Sequence, residues 1–372
     1  MSKQDYLHVV AFNVPYPPNY GGIIDIYFKL KALHDKGIKI ILHAFLYGRS
    51  EHEALESITE KVFYYRRNKS PLYFFSKYPF IVISRKSEQL EKNLLTDPYP
   101  VLFEGLHSSF HMPACQAAGK QVFIRTHNIE HRYYRMLASS DRNIFRKLYL
   151  RLEAMKLSKY EEILGHASQI LAISQTDYSY FWEKYGNALH VSAFHHHDEI
   201  SCSAGTGKYI LMHGNLSVPE NENAVRFLIK KVLAIIDHRV IIAGKDPNRY
   251  LEKLCKKHKN LELVSNPTDE VMNKLVAEAH INLLYTFQPT GLKLKLLHSL
   301  YSGRFCMANP LMLSGSGLQD LCVVYRSPAE AIASIEELMA RKFDEEEIAK
   351  RKKALKAFDN AYNADKIIQM LR

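Results

Sequence analysis

The sequence predicts an α/β protein made of two doubly wound, parallel-sheet domains in tandem. Two observations carry this expectation. Short apolar runs alternate with amphipathic helical patterns along the whole chain, the signature of strand–helix–strand units. At 372 residues the chain is also too long for one ordinary core, so two domains of about 150–200 residues are expected.

The elements follow in order. The first half gives strands near 7–12, 38–45, 101–104, 121–125 and 169–173, apolar runs too short for buried helices, and a long helix near 131–164. Periodicity lapses between 195 and 207, where small polar residues gather, and this marks the domain boundary. The second half starts again, with strands near 209–213, 240–243, 261–264, 281–285 and 305–308. Helices intervene near 219–235, 247–257, 269–279 and 292–301. The expected domains are 1–199 and 200–356, with a helix in 357–372 returning to the first.

An apolar content of 47% with 11% aromatics is a globular composition. No apolar run opens the chain and no stretch of about eighteen apolar residues exists to span a bilayer, so a cytoplasmic protein is expected. Cys115, Cys202, Cys255, Cys306 and Cys322 are odd in number and lack a C-x-x-C pair, which argues against a disulfide framework and a zinc site. His195, His196 and His197 point in different directions and have no carboxylate spacing beside them, so they read as linker and no metal ligand set is expected.

The net charge of +11 calls for an anionic partner. Basic residues interleave with aromatics from Phe63 to Lys69 and through 71–80 to Arg85 and Lys86. A second basic cluster runs from Arg132 to Lys159 and includes Arg142, Arg146, Lys147, Arg151 and Lys156. This pattern suits the headgroup region of an anionic membrane. It also describes a solvated basic face, or aromatic stacking on single-stranded nucleic acid. No named nucleic-acid module occurs, so nucleic acid is not the expected partner.

Polar residues collect where strands end, the edge at which open α/β sheets bind ligands. After the first strand come Asn13 and Tyr20, then the pair Gly21 and Gly22 at a helix start, without the G-x-G-x-x-G fingerprint. Arg125, His127, Asn128 and Glu130 crowd the end of another strand. In the second half, Gly214 with Asn215, Lys245, and Gly291 mark three further strand ends. The helix near 292–301 begins with Lys293 and Lys295, a placement that opposes the helix dipole unless an anion docks there. Gly291, Lys295, His298 and Ser299 share its one polar face, and leucines fill the rest.

Taken in order and spacing, the segments Pro15 to Gly22, Arg125 to Glu130, Ala172 to Ser174, Gly214 to Ser217, Ala243 to Pro247 and Thr290 to Lys295 resemble GT-B glycosyltransferases, most closely the family 4 retaining enzymes. The resemblance implies two facing Rossmann-like domains with a cleft between them, the acceptor on the first and the nucleotide sugar mainly on the second. It implies catalytic roles for His127, beside the transferred sugar, and for Lys293 and Lys295, on the leaving phosphates. The donor would be held by Gly21, Gly22, Gly214, Asn215, Lys245, Thr290, Gly291, Leu292 and His298. Asn13, Tyr20, Arg125, Asn128 and Glu130 would face the acceptor.

The expected reaction is metal-independent transfer of a hexose from a UDP- or GDP-linked donor, with retention, to a lipid-linked or polysaccharide acceptor. Capsule or lipopolysaccharide is the kind of product implied, made on the inner face of the membrane. One departure stands out: two glutamates seven residues apart in the family are here Thr290 and His298. That leaves a non-catalytic nucleotide-sugar-binding partner, or a sugar-nucleotide epimerase, as alternatives.

Overall fold

The run from Leu7 to Ala11 is buried at every position. A strand meets that condition only when helices cover both faces of its sheet, as in parallel α/β architecture. The computed structural model describes residues 6–141, 143–289, 291 and 293–372, and among these the chain forms two such sheets, each in its own compact unit.

The first unit holds the residues up to His196 and those from Ala357 onward. Its strands are β1 (Tyr6–Ala11), β2 (Lys39–Leu46), β3 (Lys61–Arg66), β4 (Val101–Glu104), β5 (Val122–Thr126), β6 (Gln169–Ala172) and β7 (Ala188–His190). They lie in the order β3-β2-β1-β4-β5-β6-β7, all parallel. The second unit, His197–Lys356, carries β8 (Ile210–Asn215), β9 (Val240–Lys245), β10 (Leu261–Ser265), β11 (Ile281–Leu284), β12 (Phe305–Ala308) and β13 (Val323–Val324). Their order is β10-β9-β8-β11-β12-β13, again parallel. In each sheet the order reverses beside the unit's first strand, at β1/β4 and at β8/β11. Connections leave such a point in opposite directions and open a crevice at the carboxyl ends of the strands.

Helices fix what reaches those crevices. Helix α1 (Gly21–Asp35) follows β1 and buries Ile23, Ile26, Leu30 and Leu33. The single long helix expected near 131–164 is instead α2 (Glu130–Ser140), α3 (Ile144–Tyr160) and a 3-10 turn, Glu161–His166. The break has a local cause: the Asn143 side-chain oxygen accepts the N–H groups of Phe145 and Arg146 and starts a new helix. The helix expected over 219–235 is α-helical only as α4 (Pro219–Leu228), and one wider turn, Ile229–Leu233, continues it. Helix α5 (Leu294–Ser302) starts two residues later than expected, with Lys293 extended at its cap. Helix α6 (Asn360–Leu371) buries Ala364, Ile367, Ile368 and Leu371 in the core that also holds Ile23, Ile26 and Leu30 of α1.

Strands β3, β7 and β13 lie outside the sequence expectation. β3 falls in the basic, aromatic stretch around Tyr64, where bulky β-formers with charged ends suit an edge strand.

Candidate active site

Leu296, Leu297 and Leu300 are fully buried, so they set the rotation of α5 and leave Lys295, His298 and Ser299 on its other side. The Lys295 ammonium donates to Asn221 Oδ1 at 3.2 Å, and the Asn221 amide donates to the carbonyl of Asn215 at 2.9 Å. Ser299 Oγ donates to the Lys295 carbonyl at 2.9 Å and lies 3.2 Å from His213 Nε2. The rings of His213 and His298 meet edge to face, with centroids 5.6 Å apart. The end of β8, the first turn of α4 and the start of α5 therefore converge at the β8/β11 reversal.

The backbone permits this closeness at one position above all. A Cβ on Gly244 would sit 2.0 Å from the Gly214 carbonyl oxygen, so only glycine lets β9 lie this close to β8 there. Beyond it, the Lys245 carbonyl accepts the N–H groups of Leu216 at 2.9 Å and Ser217 at 3.1 Å, and the Lys245 side chain is exposed.

Burial pulls the Lys295 ammonium below its ordinary pKa, and the charge of Glu220 works the other way. Burial also lowers His213 well below the usual histidine range, helped by the charges of His298 and Lys295. Glu220 itself is engaged by Thr286 Oγ1 and by the Phe287 N–H at 3.0 Å, so it braces the loop after β11. The hydrogen bond from the Lys295 ammonium thus goes to a neutral amide, while Glu220 acts on it only through its charge. An anion of phosphate size suits the site. Lys293 donates to the Gly291 carbonyl at 3.1 Å. Gly291 has a φ of 63°, and the expected donor contacts Thr290 and Leu292 lie outside the described residues.

In the first unit His127 follows β5 and reaches toward Glu104 at the end of β4 and Gly22 after β1. Its Nε2 is 3.2 Å from Glu104 Oε2, and Glu104 pairs with Lys29 at 2.6 Å. Lys29 pairs with Asp25 at 3.3 Å, and Asp25 with Arg125 at 2.8 Å. Burial opposes the charge on Asp25, yet Arg125 and Lys29 hold its carboxyl far below the usual range. Burial likewise opposes the Glu104 charge, and Lys29 and His127 overcome it. Asp25, Glu104 and His127 bring ligand-type atoms within 4.8 Å of one another, but the two carboxylates already face fixed cations. A metal would have to displace both.

Gly22 sits against His127: a Cβ there would lie 3.0 Å from the Phe12 ring and 3.8 Å from His127 Nδ1. The sequence reading placed Gly22 and His127 at the ends of two different strands, which the fold brings together, and it missed Asp25, Lys29 and Glu104. The signal for Asp25 and Lys29 was present, as two opposite charges four residues apart on the apolar stripe of α1.

Three of the expected acceptor residues, Arg125, Glu130 and Asn13, are buried. Arg125 is fully buried, and its guanidinium donates to Asp25 and to the carbonyls of Val191 and Ser192, so it ties β5 into the core and cannot meet an acceptor. Glu130 is 3% exposed at the start of α2. Burial, and then the charge of Asp177, push its carboxyl up to about 8. Asn13 is buried too, accepting the Val14 N–H at 2.9 Å and donating to Tyr20 Oη at 3.4 Å. Tyr20 is exposed, with the Arg49 guanidinium 5.1 Å from its ring centre. Gly21 opens α1 with free space around it, and Asn128 is half-buried. In the second unit His298 is 9% exposed, packed against His213 and against His197, whose ring centre is 5.0 Å away.

No family model matches the sequence. A curated relative, an uncharacterized 44.6 kDa protein in the cps region of Klebsiella pneumoniae, is 25% identical over 333 residues, 83% of this chain and 84% of that protein. Among solved structures, Anabaena Alr3699/HepE in complex with UDP aligns with a TM-score of 0.67 at 13% identity, covering 99% of each chain. Arabidopsis thaliana UGT89C1 complexed with UDP-L-rhamnose aligns with a TM-score of 0.60 at 13% identity, covering 98% of each. These structural neighbours are GT-B glycosyltransferases, and with two parallel-sheet domains that they match along nearly its whole length, this chain has the GT-B fold.

Proposed function

We propose that this protein is a retaining glycosyltransferase of the family 4 type. It would move a hexose from a UDP- or GDP-linked sugar to a lipid-linked or polysaccharide acceptor in surface-glycan assembly. The first unit would take the acceptor and the second the nucleotide sugar. The observation that carries the reading is Lys295, a sunken ammonium bonded to a neutral amide at the β8/β11 reversal. The UDP in the HepE structure, the UDP-L-rhamnose in the UGT89C1 structure and the capsule-region relative support it.

In this mechanism the donor diphosphate docks at the start of α5, near Lys293 and Lys295. As the bond from the anomeric carbon to the diphosphate breaks, negative charge grows on the departing phosphate, where fixed cations stabilise it. The acceptor hydroxyl adds on the face the phosphate leaves, and its proton passes to a departing phosphate oxygen, so configuration is retained. With Nε2–H donated to Glu104, His127 keeps Nδ1 as an acceptor on the Gly22 side, suited to orient a sugar hydroxyl. Gly214, Asn215, Lys245 and His298 would border the nucleotide.

The test combines binding with turnover. Among UDP-, GDP-, ADP- and CMP-sugars, the true donor at a hundredfold over its Kd should stabilise the protein by about 2.7 kcal/mol in a thermal-shift screen. Replacing Lys295 by Ala should lower kcat by about 10²–10³-fold, the usual loss of one preorganised charge donor, with the apo melting point kept. Unchanged transfer in that variant would sink the phosphate assignment.

One observation favours a second reading, nucleotide-sugar binding without transfer. His298 stands where the resembling enzymes carry a glutamate, and its ring is packed between two other histidines. Product analysis decides: this reading predicts a thermal shift with no sugar released from any donor.

A further inference from the structure

We propose that helix α3 and the turn Pro71–Phe75 form one face that docks this protein on an anionic lipid bilayer. The proposal takes its purpose from the lipid-linked acceptor of the preceding reading, and it names the residues that would touch the membrane.

Helix α3 has two apolar faces. Leu150, Ala154 and Leu157 are buried, and with the buried Glu153 they hold the helix to its unit. Ile144, Phe145, Leu148, Leu152 and Met155 fall within an arc of about 100° on the opposite side. All five are exposed, Ile144 by 73% and Phe145 by 82%. Folding does not use this second face. The turn beside it adds Leu72 and Phe75, the latter 90% exposed. The two pieces are joined: Lys156 donates to the Phe74 carbonyl at 2.9 Å, and the Phe74 ring meets Tyr149 of α3 edge-on at 5.6 Å. An exposed apolar area of this kind marks a binding surface.

Charge selects the occupant. Residues 144–160 hold Arg146, Lys147, Arg151, Lys156 and Lys159 against a single acid, Glu153. Glu153 lies on the buried face, where it accepts the Phe80 N–H at 2.6 Å and pairs with Lys156 at 3.0 Å. Asp141, before the helix, pairs with Arg146 at 3.1 Å. The turn is flanked by exposed Lys69 and Lys77 and contains no acid. Lys147 and Arg151 border one side of the apolar arc and Lys156 the other.

A second copy of this chain would bring two cationic faces together. Single-stranded nucleic acid offers phosphate but no hydrocarbon for Phe75, Phe145 and Leu148. An anionic bilayer offers both, and a helix lying in its interface uses this division of apolar and basic residues. No helix among the described residues is long and apolar enough to cross the membrane.

The test uses the full chain in flotation with vesicles of phosphatidylcholine, with and without phosphatidylglycerol. The protein should float with the anionic vesicles alone, and salt should weaken the binding. The variant Phe145→Glu/Leu148→Glu should bind at least about tenfold more weakly, because it puts charge where apolar side chains would be buried. Lys147→Gln/Arg151→Gln should lose the preference for anionic lipid. Phe145, Leu148 and Arg151 are exposed, Lys147 is half-buried, and all four are distant in sequence from Lys295, so melting point and nucleotide-induced shift should match wild type. A lost shift with retained flotation would therefore fault the catalytic reading and leave this one standing. Three results overturn the proposal: no flotation of wild type, undiminished flotation of the glutamate variant, or a dimer in light scattering that this variant dissolves.

Discussion

At the scale of single residues, the chain places its strongest charges where they build rather than react. Arg125 has the look of a site residue in the sequence, because it ends a strand beside His127. Its guanidinium is spent inside the unit, on Asp25 and on two backbone carbonyls after β7. Taking one partner from a buried pair leaves the other charge uncompensated, a loss of about 3–5 kcal/mol. Arg125→Met should therefore destabilise the protein by an amount in that range, read by urea denaturation, despite gaining an apolar side chain. Lys29 remains beside Asp25 and keeps the expected loss toward the lower end. A neutral outcome would mean that Lys29 alone satisfies the carboxylate. Lys295 is the opposite case, a lysine whose ammonium bonds a neutral amide.

At the scale of elements, neighbouring strands share more than hydrogen bonds. One face of β1, β2 and β3 carries His8, His43 and Tyr65 in a row: His8 Nδ1 lies 2.8 Å from His43 Nε2, and His43 Nδ1 lies 2.8 Å from Tyr65 Oη. Asp97 and Lys120 face the His8 end, and Asn93 donates to Tyr65 Oη at 2.8 Å. Burial, then the charges of His8 and Lys120, hold His43 well below the usual histidine pKa. Burial lowers His8 as well, against the pull of Asp97. Both rings are thus neutral when folded, while in the unfolded chain they titrate near about 6.5. As pH falls below that value the unfolded state binds protons the folded state refuses, so stability declines with falling pH. The slope is at most about 1.4 kcal/mol per pH unit for each histidine. In urea denaturation between about pH 5 and 7, His43→Gln should show a shallower decline than wild type by one such group.

The same elements show what was legible in the sequence. Apolar runs such as Ile210 to Met212 announced their strands, because a fully buried strand leaves no other pattern. The edge strands β3, β7 and β13 were not announced: β3 is partly exposed, and β7 and β13 span three and two residues. The lysines of α5, and Gly22 and His127 as separate strand-end residues, were readable from local chemistry; the approach of Gly22 to His127 came only with the fold. The Asp25–Lys29 spacing was local too, but its partners Glu104 and Arg125 were not legible, because they lie 75 and 100 residues further along the chain (104 − 29 and 125 − 25).

At the scale of the whole molecule, the chain leaves the first unit at His196, builds the second, and returns at Ala357 to finish the first. That return is structural. Ile367 and Leu371 of α6 join the core built on α1, and Asn363 Oδ1 accepts the Ser192 N–H at 3.1 Å. The Asn360 amide brackets His195, accepting its N–H at 3.1 Å and donating to its carbonyl at 2.7 Å. The segment so held also supplies the carbonyls that receive Arg125 and the Phe194 N–H that reaches Asp25 at 2.9 Å. Helix α6 is therefore linked through the buried charge network to His127, although Asn360 lies 233 residues further along the chain (360 − 127). Removing 357–372 should strip apolar contacts worth about 1.5–3 kcal/mol per buried side chain from the first unit, leaving the second intact. Calorimetry of the truncated chain should show a first-unit transition moved well down in temperature. The nucleotide-induced shift should persist, since Lys295, Asn221 and His213 all lie in the second unit. Loss of that shift on truncation would show that the second unit needs the returning helix to hold its donor site.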